Sequence, residues 1–389
     1  MVVSPDLVVP WRWRVPRGPW LVVLALFIAL PAAAVEVEDL YEARVPVSTQ
    51  TRESWQDAVK TALSEVIVRM TGSTEVLREQ GISTVLDQAP RFVQQFRYET
   101  AATSGTSDAK RATSEPATPE QTLWVRFDEK ALTTRFRELG IAVWGRLRAP
   151  ALVWLALEEG RERQLVGSAS NHEAYSLMQE RAKHRGLPLR VPLYDLTDRA
   201  AVEISDVWGN FSDPILRASQ RYEADAVLVG RVLRDRSGGW RGRWSLYQAD
   251  GPMSWENIGG TLAEVLDGGV DGTTSAMAKR FAALQTAEGT ATVLVRVREV
   301  NNVQDYTRLT SYLESLASVT RVDPYIVEPS GVLYRVTTRG GSRLLAHAIS
   351  LGNSLIAESA EIADYNVQAM PTVVDEPGVV ADLNYRLLP

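Results

Sequence analysis

Four polar side chains in the middle of the chain could do acid–base chemistry: Glu158, His172, Asp195 and Asp198. Both Glu158 and the pair of Asp195 and Asp198 follow predicted strands, and parallel sheets bind ligands at the carboxyl ends of their strands. Together with the imidazole, these carboxylates could form a hydrolytic or ion-binding cluster. The alternative is that they are solvated loop charges. The sequence favours this alternative, because a site has to be argued from geometry.

Two tryptophans form a second candidate. Trp240 and Trp244 are four residues apart on one predicted strand, so their side chains share a face. An aromatic platform could stack on a glycan. The same pair could cover a hydrophobic core or a partner surface, and we favour that interpretation.

Several other chemistries have no support. The chain has no cysteine, which excludes thiolate nucleophiles, disulfides and cysteine metal sites. His172, His184 and His347 are too dispersed for a zinc site, which needs three or four closely spaced ligands, so we expect no metal. We find neither a G-x-S-x-G elbow nor a glycine-rich phosphate loop, so we expect no cofactor, and we interpret Gly238-Gly239 and Gly268-Gly269 as turns.

The first residues are typical of a targeting segment. Arginines between residues 12 and 17 precede an apolar run, Trp20–Leu30, and three alanines, Ala32–Ala34. The run is shorter than the roughly 20 residues that span a bilayer. We predict a signal peptide over residues 1–34, cleaved after Ala34, and a periplasmic protein without a stable membrane span. An uncleaved anchor is the alternative.

Charge and composition indicate which kinds of molecule this protein binds. The net charge of −6 disfavours nucleic acid, and removal of a basic leader would make the chain more acidic still. An exported chain without cysteine fits a bacterial periplasm. We therefore expect protein partners in the cell envelope.

The middle of the chain, residues 149–287, is predicted to form an α/β sandwich with a partly parallel sheet. The run Asp225–Leu233 is almost wholly apolar, as in a strand that is covered on both faces, and Trp240–Gln248 returns as a hairpin. A further strand is predicted over Leu187–Leu193, although Pro188 and Pro192 weaken it. Three helices are predicted: one starting at a capping box of Ser170 and Glu173, one starting at Asp213 and Pro214, and a last one over Asp271–Leu284.

Two other domains flank this one. Residues 35–148 predict an α+β domain with helices over Trp55–Gly72 and Ile82–Phe96, interrupted by a mobile loop over residues 100–121 that lacks large apolar side chains. Residues 288–389 follow the strand–helix–strand–strand–helix order of a split βαβ, ferredoxin-like module. The fold class is therefore multi-domain, α/β and α+β.

Three stretches carry a resemblance to a known family: Arg69–Gly72 (RMTG), Leu123–Leu132 (LWVRFDEKAL) and Arg221–Val232 (RYEADAVLVGRV). The chain resembles an uncharacterised family of proteobacterial envelope proteins, known as domain of unknown function number two thousand sixty-six. Its middle part is also similar to the α/β modules of periplasmic assembly and activator proteins. The resemblance implies fold and compartment, and it assigns no catalytic residue.

These observations favour a non-catalytic, soluble periplasmic protein that acts through protein contacts in envelope assembly or maintenance. The alternative is a periplasmic hydrolase or glycan-binding protein with a site at the carboxyl strand ends of the middle domain. A deep pocket that holds two or more of Glu158, His172, Asp195 and Asp198 would favour the alternative.

Overall fold

A computed structural model of the chain describes residues 35–100, 121–160, 162–168, 172–287, 289–329, 331–358 and 380–389. The predicted signal peptide, and residues 101–120 of the predicted mobile loop, lie outside these residues. The predicted fold class is confirmed: helices and partly parallel sheets alternate along the chain. No helix within the described ranges is long and apolar enough to cross a bilayer.

The N-terminal region is a three-stranded antiparallel sheet covered by helices. Its elements are β1 (Val35–Glu36), β2 (Glu42–Val47), α1 (Arg52–Thr71), α2 (Ile82–Asp87), β3 (Val93–Thr100), β4 (Gln121–Phe127), α3 (Glu129–Glu138) and β5 (Leu147–Arg148). The sheet order is β2-β4-β3, and β1 pairs with β5. Helix α1 begins at its cap Thr51, whose hydroxyl accepts from the Ser54 amide, and ends at Gly72 in the left-handed region. Its wide apolar stripe is buried against the sheet, as its periodicity predicts.

The middle region is a mixed sheet with helices on both faces. Its elements are β6 (Ala151–Glu159), β7 (Glu162–Val166), α4 (Glu173–Arg185), β8 (Leu189–Arg190), α5 (Leu196–Ala201), α6 (Ile204–Gly209), α7 (Ser212–Ser219), β9 (Ala226–Arg234), β10 (Trp240–Gln248), β11 (Gly251–Gly259) and α8 (Leu262–Ala287). The order is β11-β10-β9-β6-β7, with β8 pairing with the start of β6, and β6 runs parallel to both β8 and β9. Helices α4 and α8 pack on one face, and α5 to α7 pack on the other. Because helices cover both faces of the sheet, the sequences of β6 and β9 are almost continuously apolar.

The C-terminal region has ferredoxin-like connectivity with one addition. Its elements are β12 (Thr290–Arg298), α9 (Val303–Ser315), β13 (Val319–Glu328), β14 (Gly331–Arg339), α10 (Gly341–Ser350), β15 (Leu355–Ala357) and β16 (Leu383–Leu387). The sheet order is β13-β14-β12-β16-β15. Strand β16 is parallel to β12 and antiparallel to β15, so it lies between the first strand and the strand that follows the second helix.

Several predicted elements are wrong in detail. The helix predicted over Ile82–Phe96 stops at Asp87, a single 3-10 turn follows, and the chain continues as β3. The strand predicted over Leu187–Leu193 is reduced to the two residues of β8. Pro188 and Pro192 flank it and cannot donate to a ladder, which explains its shortness.

The helices of the middle region also differ from expectation. The cap of α4 is His172, so the helix does not start at Ser170. Helix α8 starts at Leu262, nine residues before the predicted Asp271, and runs through Gly268 and Gly269, which were expected to form a turn. A Cβ added at Gly269 would lie 2.6 Å from the Trp244 ring. Glycine is therefore present because α8 lies directly against an indole.

Candidate functional site

Glu158 lies at the carboxyl end of β6 and is engaged in a cross-strand ion pair. Its Oε2 is 2.5 Å from Nε of Arg163, its register partner on β7. The neighbouring Glu159 is 3.7 Å from Arg234. Arg163 in turn stacks on the ring of Trp208 at 4.2 Å. Glu158 is therefore part of a surface pair on the face that α6 covers.

His172 lies on the other face of the sheet. Its Nδ1 accepts a hydrogen bond from the Ala174 amide at 3.1 Å, which caps α4, and its Nε2 is 2.9 Å from Nε2 of Gln164. Gln164 follows Arg163 on β7, and adjacent strand residues point to opposite faces. The partners of Glu158 and His172 therefore point to opposite faces of the same strand, which explains why the two side chains do not share one pocket.

Asp195 and Asp198 do lie together, around the start of α5. Asp195 caps the helix by accepting from the Asp198 amide at 3.0 Å. Arg221 binds Asp195 through both of its terminal nitrogens, at 3.0 Å each, and its Nη1 also lies 3.0 Å from Asp198 Oδ1. The buried Asp198 carboxylate further accepts from the Tyr194 amide at 2.8 Å and from the Tyr222 hydroxyl at 2.5 Å. We call Asp195, Asp198, Arg221 and Tyr222 the aspartate–arginine cluster.

The electrostatics of this cluster favour fixed charges. The Arg221 guanidinium lowers the pKa of Asp195 to about 2, and its bond to Asp195 raises the pKa of Arg221. Burial and, to a smaller extent, the hydrogen bond to Asp198 raise the pKa of Tyr222 to about 12. A general acid or base works best with a pKa near the operating pH. Each of these shifts moves the pKa of Asp195, Arg221 or Tyr222 further from neutral pH, so these three groups are poorly suited to proton transfer.

Trp240 and Trp244 are buried between β10 and α8. Trp244 is fully inaccessible, Trp240 is 8% exposed, and both belong to the core of the middle region. The indole nitrogen of Trp244 donates to Asn257 Oδ1 at 2.8 Å. Neither ring is available to a glycan at the surface, which agrees with the core interpretation.

The structure reveals a groove that the sequence did not suggest. It runs along the outer edge of β8, between α4 and residues 221–223, with a volume of about 440 Å³. Its walls include Tyr175, Gln179, Leu189, Val191, Leu193 and Tyr222. A smaller pocket of about 190 Å³ adjoins it and extends to Lys183. We call this the β8 groove, and its only sequence signal is a weak strand between two prolines, which is typical of a sheet edge.

A second feature that sequence reasoning missed is a buried group of arginines between the N-terminal and middle regions. Arg148 is completely inaccessible, and Arg69 and Arg185 are nearly so. Nε of Arg148 donates to the Gly145 carbonyl at 2.9 Å and Nη1 to the Gly186 carbonyl at 2.6 Å. We call Arg69, Arg148 and Arg185 the arginine junction.

Further contacts of the junction tie α1 to α4. Nη2 of Arg148 donates to the carbonyls of Arg69 and Trp144, at 2.7 and 2.6 Å. Arg185 donates to the Gly72 carbonyl at 2.9 Å, and Arg69 donates to the His184 carbonyl at 3.2 Å. The last carbonyls of a helix lack partners within it and carry partial negative charge. The three guanidinium groups thus bind carbonyls at or near the ends of two helices from different regions.

The buried charge of Arg148 has an electrostatic cost. Burial, together with a smaller effect of the neighbouring Arg69, lowers the pKa of Arg148 to about 9. The group is still protonated at neutral pH. Carbonyl oxygens take the place of a carboxylate here, and the ring of Trp144 adds a cation–π contact at 4.2 Å.

Residues 34–145 match a family described as Domain of unknown function (DUF8605). The resemblance to the family numbered two thousand sixty-six is therefore wrong, and with it the inference of a proteobacterial envelope family. The shared packing motifs misled because buried helices and strands look alike across families. No curated protein matches the chain. Within the described residues, no three histidine or acidic side chains are grouped as metal ligands would be.

Proposed function

We propose that this chain is an exported, non-catalytic binding protein of the bacterial cell envelope, which acts through protein–protein contacts in assembly or maintenance. The observation that carries the proposal is that the candidate reactive side chains have structural partners. Glu158 pairs with Arg163, and Asp195 pairs with Arg221. His172 caps a helix with the nitrogen that would otherwise act as a base.

Export is supported by the leader: a basic start, a short apolar run and three alanines. The expected result is a mature protein that begins at Val35 and fractionates with the soluble periplasm. N-terminal sequencing of protein purified from its native host measures this directly. A chain that still begins at Met1 in the membrane fraction would contradict it.

The alternative of a hydrolase or glycan-binding protein requires Glu158, His172, Asp195 or Asp198 to converge. Their contacts favour the binding function, because only the two aspartates lie together and Arg221 pairs with both. The test is to replace carboxylates without disturbing the fold. Asn is as good a helix cap as Asp, so Asp195→Asn preserves α5.

Glu158→Gln and Asp195→Asn are therefore expected to fold normally and to complement a deletion strain. Thermal melts establish folding, and growth of the strain measures function. Variants that melt like the parent but fail to complement would support the hydrolase alternative. In-cell crosslinking followed by mass spectrometry then identifies the protein partner that the proposal requires.

A further inference from the structure

We propose that two copies of this chain associate through β11, which pairs antiparallel with β11 of the second copy across a two-fold axis at Trp255. The pairing joins the two middle sheets into one continuous sheet. It requires nothing outside this chain, so it goes beyond the function proposed above. Four features of β11 and the position of α8 support it: an unprotected edge, main-chain groups that point outward, one register that suits them, and complementary side chains.

Strand β11 is an edge strand without the usual protection against pairing. It runs over Gly251–Gly259 in unbroken register with β10, and within the described chain no strand pairs with its other side. Edge strands are normally protected by shortness, bulges, charges or proline. Glu256 is the one charged residue of this strand, and Arg241 and Arg243 neutralise it at 2.5 and 3.1 Å. The one proline, Pro252, lies at the start of the strand.

The other edge strands in the described part of the chain do carry such protection. Strand β13 has two register shifts and a central proline, Pro324. Strand β3 has a register shift and two charged residues, Arg97 and Glu99. The edge strands β2, β7, β8 and β15 have six residues or fewer. Strand β11 is therefore the edge on which strand addition is expected.

The alternation of hydrogen bonds across the hairpins determines which main-chain groups of β11 point outward. The Asp235 amide donates to the Gly239 carbonyl at 2.8 Å, which begins the ladder between β9 and β10. Because bonded and non-bonded pairs alternate, the odd-numbered residues of β10 bond to β9 and the even-numbered ones bond to β11. The outward groups of β11 therefore belong to its even-numbered residues, Pro252, Ser254, Glu256 and Ile258. Proline, which lacks an N–H, fits such a position.

One antiparallel register uses all of these outward groups. Centred on Trp255, the pairing places Ser254 opposite Glu256 of the second copy. It also places Ile258 opposite Pro252, where only one of the two main-chain bonds is lost. A pairing centred on Glu256 would place this carboxylate opposite its own equivalent, and like charges directly opposite repel. A pairing centred on Ser254 would leave Ile258 beyond the end of the opposite strand.

The side chains of β11 are complementary to themselves in this register. Ile258 is 64% exposed and gains an apolar contact with Pro252 of the second copy. Met253 is 43% exposed and becomes the diagonal neighbour of Trp255. The two Glu256 carboxylates are also diagonal neighbours, but each keeps its arginine pairs on β10. Two-fold symmetry makes each favourable contact twice.

Helix α8 leaves room for the second copy. A Cβ at Gly269 would contact Trp244 and one at Gly272 would contact Trp255, so the helix lies over both β10 and β11. Neighbouring strands are about 4.8 Å apart, so α8 and its equivalent would lie about 10 Å apart on one face of the joined sheet. Packed helices are separated by roughly 8–10 Å. The pairing therefore adds helix contacts to the main-chain bonds.

Analytical ultracentrifugation of the purified full chain measures this association. We expect a concentration-dependent equilibrium between monomer and dimer and no larger species, because a two-fold pairing uses up the edge. A chain that stays monomeric up to about 1 mM, or that forms open-ended assemblies, would overturn the proposal. The purified chain is tested without its cellular partners, so failure here leaves the envelope function standing.

Amide hydrogen exchange followed by NMR identifies the edge. The amides of Ser254, Glu256 and Ile258 point outward, so they should exchange rapidly in dilute solution and become protected as the dimer forms. The amides of Met253 and Trp255 bond to β10 and should be protected at both concentrations. Association with protection at another surface, and none at these three amides, would refute the assignment to β11.

A charge placed on the edge tests its contribution. Ile258→Lys should weaken the dimer about tenfold, because it replaces an apolar contact that is made twice. Val303→Lys, at a 79% exposed valine on α9, is the matched control and should leave the dissociation constant unchanged. Thermal melts establish that both variants fold. Equal effects of the two variants would contradict pairing through β11.

A pair of opposite charges at Ser254 tests the register. Ser254→Lys places an ammonium group opposite Glu256 of the second copy and should tighten the dimer about fivefold. Ser254→Glu places a carboxylate there and should weaken the dimer by a similar factor. Both variants lose the same contact with Ser245, so the comparison isolates the charge. If the two charges had the same effect, the register centred on Trp255 would be wrong.

Discussion

The two junctions that join the middle region to its neighbours are built differently. At the arginine junction, buried guanidinium groups donate to main-chain carbonyls at distances down to 2.6 Å. At the other, partly exposed side chains connect α8 and α10: Asp225 is 3.5 Å from His347 and 3.8 Å from Arg280. Arg280 is also 3.2 Å from Asp250, whose side chain is 68% exposed. The first junction is almost wholly buried, with only Nε of Arg185 left without a hydrogen-bond partner among its guanidinium groups, and the second is partly exposed.

The two junctions also differ in how closely their residues pack. The second junction encloses a cavity of about 40 Å³, enough for a water molecule, and the buried Oε1 of Gln248 in its wall has no hydrogen-bond partner within the described residues. At the first junction, glycines allow the backbone itself to approach the arginines: a Cβ at Gly186 would lie 2.7 Å from Arg69 and 2.8 Å from Arg148. The comparison implies that the N-terminal and middle regions unfold together, whereas the contact with α10 can open separately.

The largest expected effect is that of Arg148→Leu. It leaves four carbonyls without a donor, and each buried group that loses its partner costs about 1–3 kcal/mol. We expect a loss of about 3 kcal/mol or more in the free energy of unfolding, measured by guanidinium denaturation. Arg148→Lys, which keeps the charge but not the fork of donors, should lose less.

The control for this comparison is Arg163→Leu. Arg163 is half-exposed and pairs with Glu158 at the surface, so its removal should cost no more than about 1 kcal/mol. A similar loss for the Arg148 and Arg163 variants would contradict the importance of the junction.

Gly72→Ala should have the next largest effect. Its φ of +70° is strained for alanine, and the new Cβ would lie in contact with the Cβ of Ala278. Gly140→Ala is the matched control, because its φ is +73° and nothing lies within 4 Å of the added Cβ. The control should lose about 1 kcal/mol from backbone strain, and Gly72→Ala about 1–3 kcal/mol more from overpacking. If chemical denaturation showed equal losses of unfolding free energy for the two variants, the residues around Gly72 would accommodate the added methyl group without overpacking.

Arg280→Met is expected to have a smaller effect, at the second junction. It removes the contacts with Asp225 and Asp250 but retains an apolar side chain along the cavity. We expect a loss of about 1 kcal/mol or less in global stability and faster hydrogen exchange in α10 than in α1. Acceleration of exchange in α1 to the same extent would show that the two junctions are not independent.

His347→Gln should have the smallest effect. The imidazole is 36% exposed and 3.5 Å from Asp225, a geometry in which surface pairs contribute about 0–1 kcal/mol. Thermal melts are expected to change little, while exchange in α10 rises modestly. A destabilisation comparable to that of Arg148→Leu would reverse the ranking of the junctions.

Much of the fold could be predicted from the sequence because local periodicity and burial agree. The apolar run predicted over Asp225–Leu233 is β9, displaced by one residue, and the first helix ends at Gly72 as predicted. Periodicity failed at β3, where the spacing of Phe92, Val93 and Phe96 suited a helix but pairing with β4 determined the structure. It failed again at Gly268 and Gly269, where packing on an indole outweighs helix propensity.

Less of the site could be predicted. The proximity of Asp195 and Asp198 follows from local sequence, but their partner Arg221 is 26 residues from Asp195 and is brought in by the fold. The separation of Glu158 and His172 depends on which side chains of β7 point to each face of the sheet, and the sequence did not predict this strand. Nothing local marks Arg69 or Arg148 as buried, since arginine is normally exposed.

The family match ends at residue 145, before two of the three residues of the arginine junction. A fragment cut there keeps the last turn of α1 but loses Arg148, whose donors contact the carbonyls of Arg69 and Trp144. It also loses Arg185, the donor to Gly72. What sequence comparison delimits as a transferable unit is therefore physically incomplete. In this chain, Arg148 and Arg185, both beyond the family match, provide donors for the end of its first helix.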